Sequence, residues 1–126
     1  MPIDYQRDDD RRLITLTLVE PFSFEELLDH VDRQWAENLW DYAVIYDGRS
    51  NQQVTPTDQL QRLVDRVQVT GQGRSRGPVG VIIPPRSEML FRGLQFAARL
   101  PRPGNLEVLL DQAHVDEWIA RHAPRR

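Results

Sequence analysis

The chain has 126 residues, no cysteine and a formal net charge of −3 at pH 7. Its length fits a single domain, 1–126. The absence of cysteine excludes disulfides, thiolate metal sites and a cysteine nucleophile, and the negative charge argues against nucleic-acid binding. The opening residues lack the basic and apolar segments of a signal peptide, and no apolar run is long enough to span a membrane. We therefore expect a cytoplasmic protein with no membrane span.

The chain opens with two short apolar segments that are typical of strands. Ile3 to Arg7 and Leu13 to Val19 are predicted to pair as a hairpin, because the second segment alternates aliphatic residues with threonine and a polar turn separates the two. That turn contains Asp8-Asp9-Asp10. An acidic triplet can bind a metal ion, but a solvated turn is the favoured interpretation.

A helix is predicted next, because Ser23 and Glu26 have the spacing of a capping box. Its apolar residues share one helical face; they are Phe24, Leu27, Leu28, Val31 and Trp35. His30 lies outside this stripe and is predicted to be a surface residue.

The rest of the chain alternates strands and helices. Apolar runs predict three more strands, over Ala43–Tyr46, Val79–Ile83 and Leu106–Leu110. Each is followed by a helix start, at Thr55, Ser87 and Asp111. The predicted order is ββαβαβαβα, which indicates an α/β fold with a single mixed, mostly parallel sheet.

Three stretches of these elements stand out together: Ile3-Asp4-Tyr5 with Arg12-Leu13-Ile14, Val44-Ile45-Tyr46-Asp47, and Leu109-Leu110-Asp111 with Trp118-Ile119. They resemble the STAS-like (SpoIIAA-like) bacterial family. The resemblance implies a STAS-like fold that docks a protein partner. In the family's best-known members a kinase phosphorylates a serine or threonine at the start of the helix after the third strand. Thr55 and Thr57 occupy that position here, although the family's Asp-Ser-Ser-Gly stretch is not present.

Parallel α/β sheets bind ligands at the carboxyl ends of their strands. The polar residues expected at that edge are Asp47, Arg49, Ser50 and Asn51 after one strand, Arg86 and Ser87 after the next, and Asp111 and Gln112 after the last. Arginines beside helix starts can receive an anion or a carboxylate, whereas the same residue types also favour turns and caps. Both interpretations stay open from the sequence.

The predicted third helix, which begins at Ser87 and runs to about Leu100, has two apolar sides. One side is expected to pack on the sheet, and Met89, Phe96 and Leu100 form the second. This second stripe predicts a homodimer interface, a protein-docking surface or the wall of a lipid-sized pocket. Covering by other parts of the chain is the alternative.

The three histidines fall in predicted helices, and no serine lies in a nucleophile elbow. We therefore predict no catalytic residue, no metal ligand and no cofactor. The leading hypothesis is a non-enzymatic interaction or regulatory module that docks a protein partner and forms a homodimer. The alternative is a small-ligand or lipid-binding domain with its site at the carboxyl edge.

Overall fold

The computed structural model describes residues 3–19, 22–49, 57–74, 76–82 and 106–124, which form five strands and three helices. The strands are β1 (Ile3–Asp8), β2 (Leu13–Leu18), β3 (Ala43–Asp47), β4 (Val79–Ile82) and β5 (Leu106–Leu109). The helices are α1 (Phe24–Ala36), α2 (Thr57–Thr70) and α3 (Gln112–His122). None of these helices combines the length and the apolar character needed to cross a bilayer.

All five strands belong to one mixed sheet in the order β1-β2-β3-β4-β5. The opening hairpin pairs antiparallel, with Ile3 opposite Leu18, and the remaining neighbours pair in parallel. The antiparallel strand β1 therefore lies at the edge of the sheet. The α/β class and the mixed, mostly parallel sheet agree with the prediction. The predicted third helix lies outside the described residues.

Successive strand residues point to opposite sides of the sheet, and helices cover both of its faces. Ile14, Leu16 and Val44 pack with the apolar stripe of α1, and Leu63 of α2 joins them. The other face holds Leu13, Ala43, Ile45, Ile82 and Leu109 together with Val115 and Trp118 of α3. The two clusters make the sheet the central layer, with its strand ends left at two opposite edges.

The capping predictions at Ser23 and Asp111 are confirmed. The Ser23 hydroxyl accepts a hydrogen bond from the Glu26 amide, and the Glu26 carboxylate accepts one from the Ser23 amide. Asp111 caps α3 by accepting from the His114 amide at 2.8 Å. Since capping satisfies amides that have no partner within the helix, each contact fixes where its helix begins.

The prediction that His30 is a surface residue is wrong. Its ring is half-buried and stacks on Tyr5 of β1, with the ring centroids 5.6 Å apart. The helical pattern of α1 identifies the stripe that faces the core, but it does not show that an edge strand reaches the flank of the helix. His30 lies on that flank.

Candidate functional site at the carboxyl edge of the sheet

The carboxyl ends of β2, β3, β4 and β5 meet at one edge, because these four strands run parallel. Val19 follows β2, Gly48 and Arg49 follow β3, and Leu110 follows β5. Neighbouring strands lie about 4.8 Å apart, so β2 and β5 are separated by roughly 14 Å. We call this row of strand ends the carboxyl edge.

Asp47 and Arg49, two of the predicted site residues, contact each other directly at this edge. The Arg49 Nη2 lies 3.0 Å from Asp47 Oδ2, and its Nε donates to the same carboxylate at 3.2 Å. The Arg49 amide also donates to Asp47 Oδ1. The hydrogen bond with Asp47 is the main reason that the pKa of Arg49 lies above its usual value. The pair therefore largely neutralises itself.

The same guanidinium ties β3 to the first turn of α3. Arg49 Nη1 donates to Gln112 Oε1 at 2.7 Å, and Gln112 Nε2 donates to Asp116 Oδ1 at 2.8 Å. An incoming anion would therefore have to displace two existing partners of Arg49. Arg49 is therefore a weaker candidate for binding an anion than an arginine without these two partners would be.

Gly48 holds the start of this loop against the neighbouring strand. Its amide donates to the Ile82 carbonyl at 2.8 Å, and a Cβ placed on Gly48 would lie 3.2 Å from that oxygen. A larger residue would crowd the carbonyl. The glycine therefore keeps Asp47 and Arg49 close to the end of β4.

Two aliphatic side chains are exposed on either side of this polar cluster. Val19 retains 48% of its accessible surface and Leu110 retains 55%. Because the strand order places β3 between β2 and β5, the Asp47–Arg49 pair lies between them. The carboxyl edge thus has an apolar, polar, apolar arrangement.

The backbone beside Leu110 is anchored by His114. The Leu110 amide donates to His114 Nδ1 at 3.2 Å, so the ring proton is on Nε2, which lies 2.6 Å from Glu107 Oε2. Arg121 also donates to the Glu107 carboxylate. Both ring nitrogens of His114 are therefore engaged within the protein, and neither is offered as a general base.

The other predicted site residues are not brought into this cluster by the described part of the chain. Ser50, Thr55, Arg86 and Ser87 lie outside the described residues, and so do Met89, Phe96 and Leu100. Thr57 is the first residue of α2, but its side chain is outside the description. These assignments stay predictions.

The acidic turn of the hairpin is used for local contacts. Asp8 accepts from the Arg11 amide, and Asp9 accepts from the Tyr42 hydroxyl at 2.8 Å and pairs with Arg7. Within the described ranges, no three histidine, aspartate or glutamate side chains are grouped so that they could hold a metal ion. The contacts agree with the interpretation of this segment as a solvated turn.

Sequence reasoning missed a buried polar network beneath α1. Arg76 is only 9% exposed; its Nε donates to Gln34 Oε1 at 2.8 Å and its Nη2 to the Tyr46 hydroxyl at 3.0 Å. One signal was available, since Gln34 stands three residues after Val31 on the apolar stripe. A polar residue on a stripe that faces the core predicts a buried partner.

No protein-family model, curated protein or solved structure matches this chain.

Proposed function

We propose that this chain is a STAS-like, non-enzymatic protein-interaction module that docks a protein partner at the carboxyl edge of its sheet. The STAS-like assignment is supported by the antiparallel opening hairpin, the parallel strands that follow it and the helices on both faces. The docking proposal is carried by the exposed Val19 and Leu110 on either side of the Asp47–Arg49 pair.

The chemistry of this edge suits a protein surface. Protein–protein interfaces combine apolar contacts with polar groups. A single exposed aliphatic residue is ordinary on a protein surface and by itself indicates no function. Here the two exposed aliphatic residues share one edge, and the charge between them is balanced. A partner that covers this edge would bury apolar surface without having to desolvate an unpaired charge.

A non-enzymatic role is supported by the contacts of all three histidines. His114 is bound by the Leu110 amide and Glu107, His122 lies 5.0 Å from the Trp118 ring, and His30 stacks on Tyr5. Each imidazole therefore has a structural environment. A histidine base would require a nucleophile beside it, and these contacts supply none.

Self-association is part of the proposal. The predicted interface residues Met89, Phe96 and Leu100 belong to the segment that leaves β4 at the carboxyl edge and returns to β5. We propose a homodimer that uses these predicted residues together with the exposed Val19 and Leu110. Phosphorylation at Thr55 or Thr57 would add negative charge to the chain and is proposed as a further mode of control.

Site-specific photo-crosslinking tests the docking surface. A photoreactive residue in place of Leu110 should crosslink a defined partner in cells of the source organism, and Val19→Glu should abolish that product. Val69 provides the matched control, because it is a 76% exposed aliphatic residue in the last turn of α2, away from the carboxyl edge. Equal labelling from positions 110 and 69, or none from 110, would refute docking at this edge.

Sedimentation across micromolar concentrations tests self-association separately. The natural chain should form dimers, Leu110→Glu should weaken dimerisation at least about tenfold, corresponding to about 1.4 kcal/mol, and Val69→Glu should leave it unchanged. A monomer at every concentration would remove self-association from the proposal. A crosslinked heterologous partner would then leave docking in place.

A further inference from the structure

The edge strand β1 is held against α1 by a contact between aromatic rings. Tyr5 of β1 and His30 of α1 stack with an interplanar angle of 9° and centroids 5.6 Å apart. Arg33, one turn further along α1, places its guanidinium carbon 3.9 Å from the centre of the Tyr5 ring. Two side chains of α1 therefore contact a single tyrosine of β1.

This contact contains two polar atoms that are shielded from solvent, the Tyr5 hydroxyl oxygen and His30 Nδ1, and neither has a hydrogen-bond partner among the described residues. A neutral imidazole can leave Nδ1 unprotonated and carry its proton on Nε2. Protonation makes both nitrogens donors, so a charged N–H would be buried at Nδ1 without an acceptor. Burying such a group is much more costly than burying a neutral nitrogen.

The charges around His30 act in both directions. Burial is the main cause that lowers the pKa of His30 below its usual value, and Arg33 lowers it further. Asp29 and Glu26 on the same helix oppose this effect, although the Glu26 carboxylate is already hydrogen bonded to the helix cap. From β1, the group that faces His30 is the uncharged Tyr5.

Strand β1 has few other attachments to the helix layer. Among the described strands it pairs with β2 alone, and Ile3 is its buried residue in the core on the α1 side. The ion pair between Arg7 and Glu37 also joins β1 to the end of α1, but both side chains are about one-third exposed. Ion pairs at such exposed positions contribute little to stability. The ring contact is therefore a main connection between β1 and α1.

We propose that the Tyr5–His30 contact is a pH-sensitive latch, closed while the imidazole is neutral and released when it is protonated. Release loosens β1 from α1 at the edge of the sheet, and it is independent of docking at the carboxyl edge. A group whose pKa is lowered by folding stabilises the latched state fully above its ordinary value of 6.5. That contribution falls as the pH drops below 6.5 toward the lowered value.

Hydrogen exchange of the natural chain at pH 7.5 and pH 5 tests the latch. After correction for the intrinsic pH dependence of exchange, acidification should speed exchange in β1 (Ile3–Asp8) several-fold relative to β3 (Ala43–Asp47). The expected ratio is about tenfold for each unit by which the contact lowers the His30 pKa. Histidine ring signals followed by NMR in the same samples should show His30 titrating below its ordinary value.

His30→Phe keeps an aromatic ring against Tyr5 and cannot be protonated, so it should abolish the selective effect of acid on β1. His122→Phe is the matched control, because burial also lowers the pKa of His122, on α3. Acid-dependent exchange of β1 that persists in His30→Phe would overturn the proposal. So would equal loosening of β1 and β3, or an ordinary pKa of His30 in the natural chain.

Discussion

Replacing Gln34 with methionine removes the side chain that holds Arg76 beneath α1. Gln34 is only 3% exposed; its Oε1 accepts from Arg76 Nε at 2.8 Å and its Nε2 donates to the Leu39 carbonyl at 2.8 Å. Methionine has nearly the same length and flexibility, so the substitution changes polarity with little change of volume. The change in the free energy of unfolding therefore measures the contribution of the hydrogen bonds that Gln34 makes with Arg76 and Leu39.

The size of the effect follows from the hydrogen bonds that are lost, because Arg76 keeps its bond to the Tyr46 hydroxyl. The Leu39 carbonyl also accepts from the Tyr42 amide, and the Trp40 carbonyl also accepts from Gly77, so neither is left unpaired. Arg76 loses a buried charge-assisted hydrogen bond, which is worth about 1.5–3 kcal/mol. The lost hydrogen bond from Gln34 Nε2 to the Leu39 carbonyl adds about 1 kcal/mol. We expect Gln34→Met to lower the free energy of unfolding by about 3 kcal/mol.

Urea denaturation of the natural chain and the variant measures this difference. The expected loss also corresponds to a fall in melting temperature of roughly 10 °C for a domain of this size. Gln61→Met is the control, because Gln61 is exposed and its side chain donates to Asp65 on the same helix. This variant should change the free energy of unfolding by less than about 0.5 kcal/mol. If both variants lowered the free energy of unfolding by the same small amount, the buried hydrogen bonds of Gln34 would not contribute to stability as argued, and the reasoning would be refuted.

Three further predictions concern packing, capping and ionisation. Gly80→Ala should lower the free energy of unfolding by about 1–3 kcal/mol, because the added Cβ would lie 2.8 Å from Leu109 Cδ1 in a packed core. Ser23→Ala should lower it by about 1 kcal/mol through loss of the capping box of α1. Asp9→Asn should lower the pKa of Tyr42 toward its ordinary value of 10.0, because the hydrogen bond to the Asp9 carboxylate is the main cause that raises it.

Urea denaturation measures the effects of Gly80→Ala and Ser23→Ala, and spectrophotometric titration of the tyrosines measures the effect of Asp9→Asn. Gly73→Ala separates the effects at Gly80, since Gly73 has open space around its Cβ position but a φ of +81°, so only backbone strain acts there. Ser23→Thr retains a capping oxygen and should restore most of the loss. A Tyr42 pKa that Asp9→Asn leaves unchanged would show that the hydroxyl is not bonded to Asp9 in solution.

Several elements of this fold were predictable from local chemistry. The α1 capping box and the Asp111 cap of α3 each join residues three positions apart, and the hairpin pairs two segments joined by one short turn. Period-two or period-3.6 apolar patterns identify which sides face the core. Strand ends differ from the predicted ones by a residue. Asp47 and Arg49 were expected at the carboxyl edge, and the parallel β3 places them there.

What the tertiary structure decided is which distant side chains meet. Arg49 and Gln112 are 63 positions apart, and Gln34 and Arg76 are 42 apart, yet each pair is hydrogen bonded. A pattern within one element indicates which side is buried, but it carries no information on the neighbour that buries it. For that reason the sequence by itself determined the α/β layout and the candidate edge, whereas packing between elements decided that Arg49 is already engaged and that His30 is covered by Tyr5.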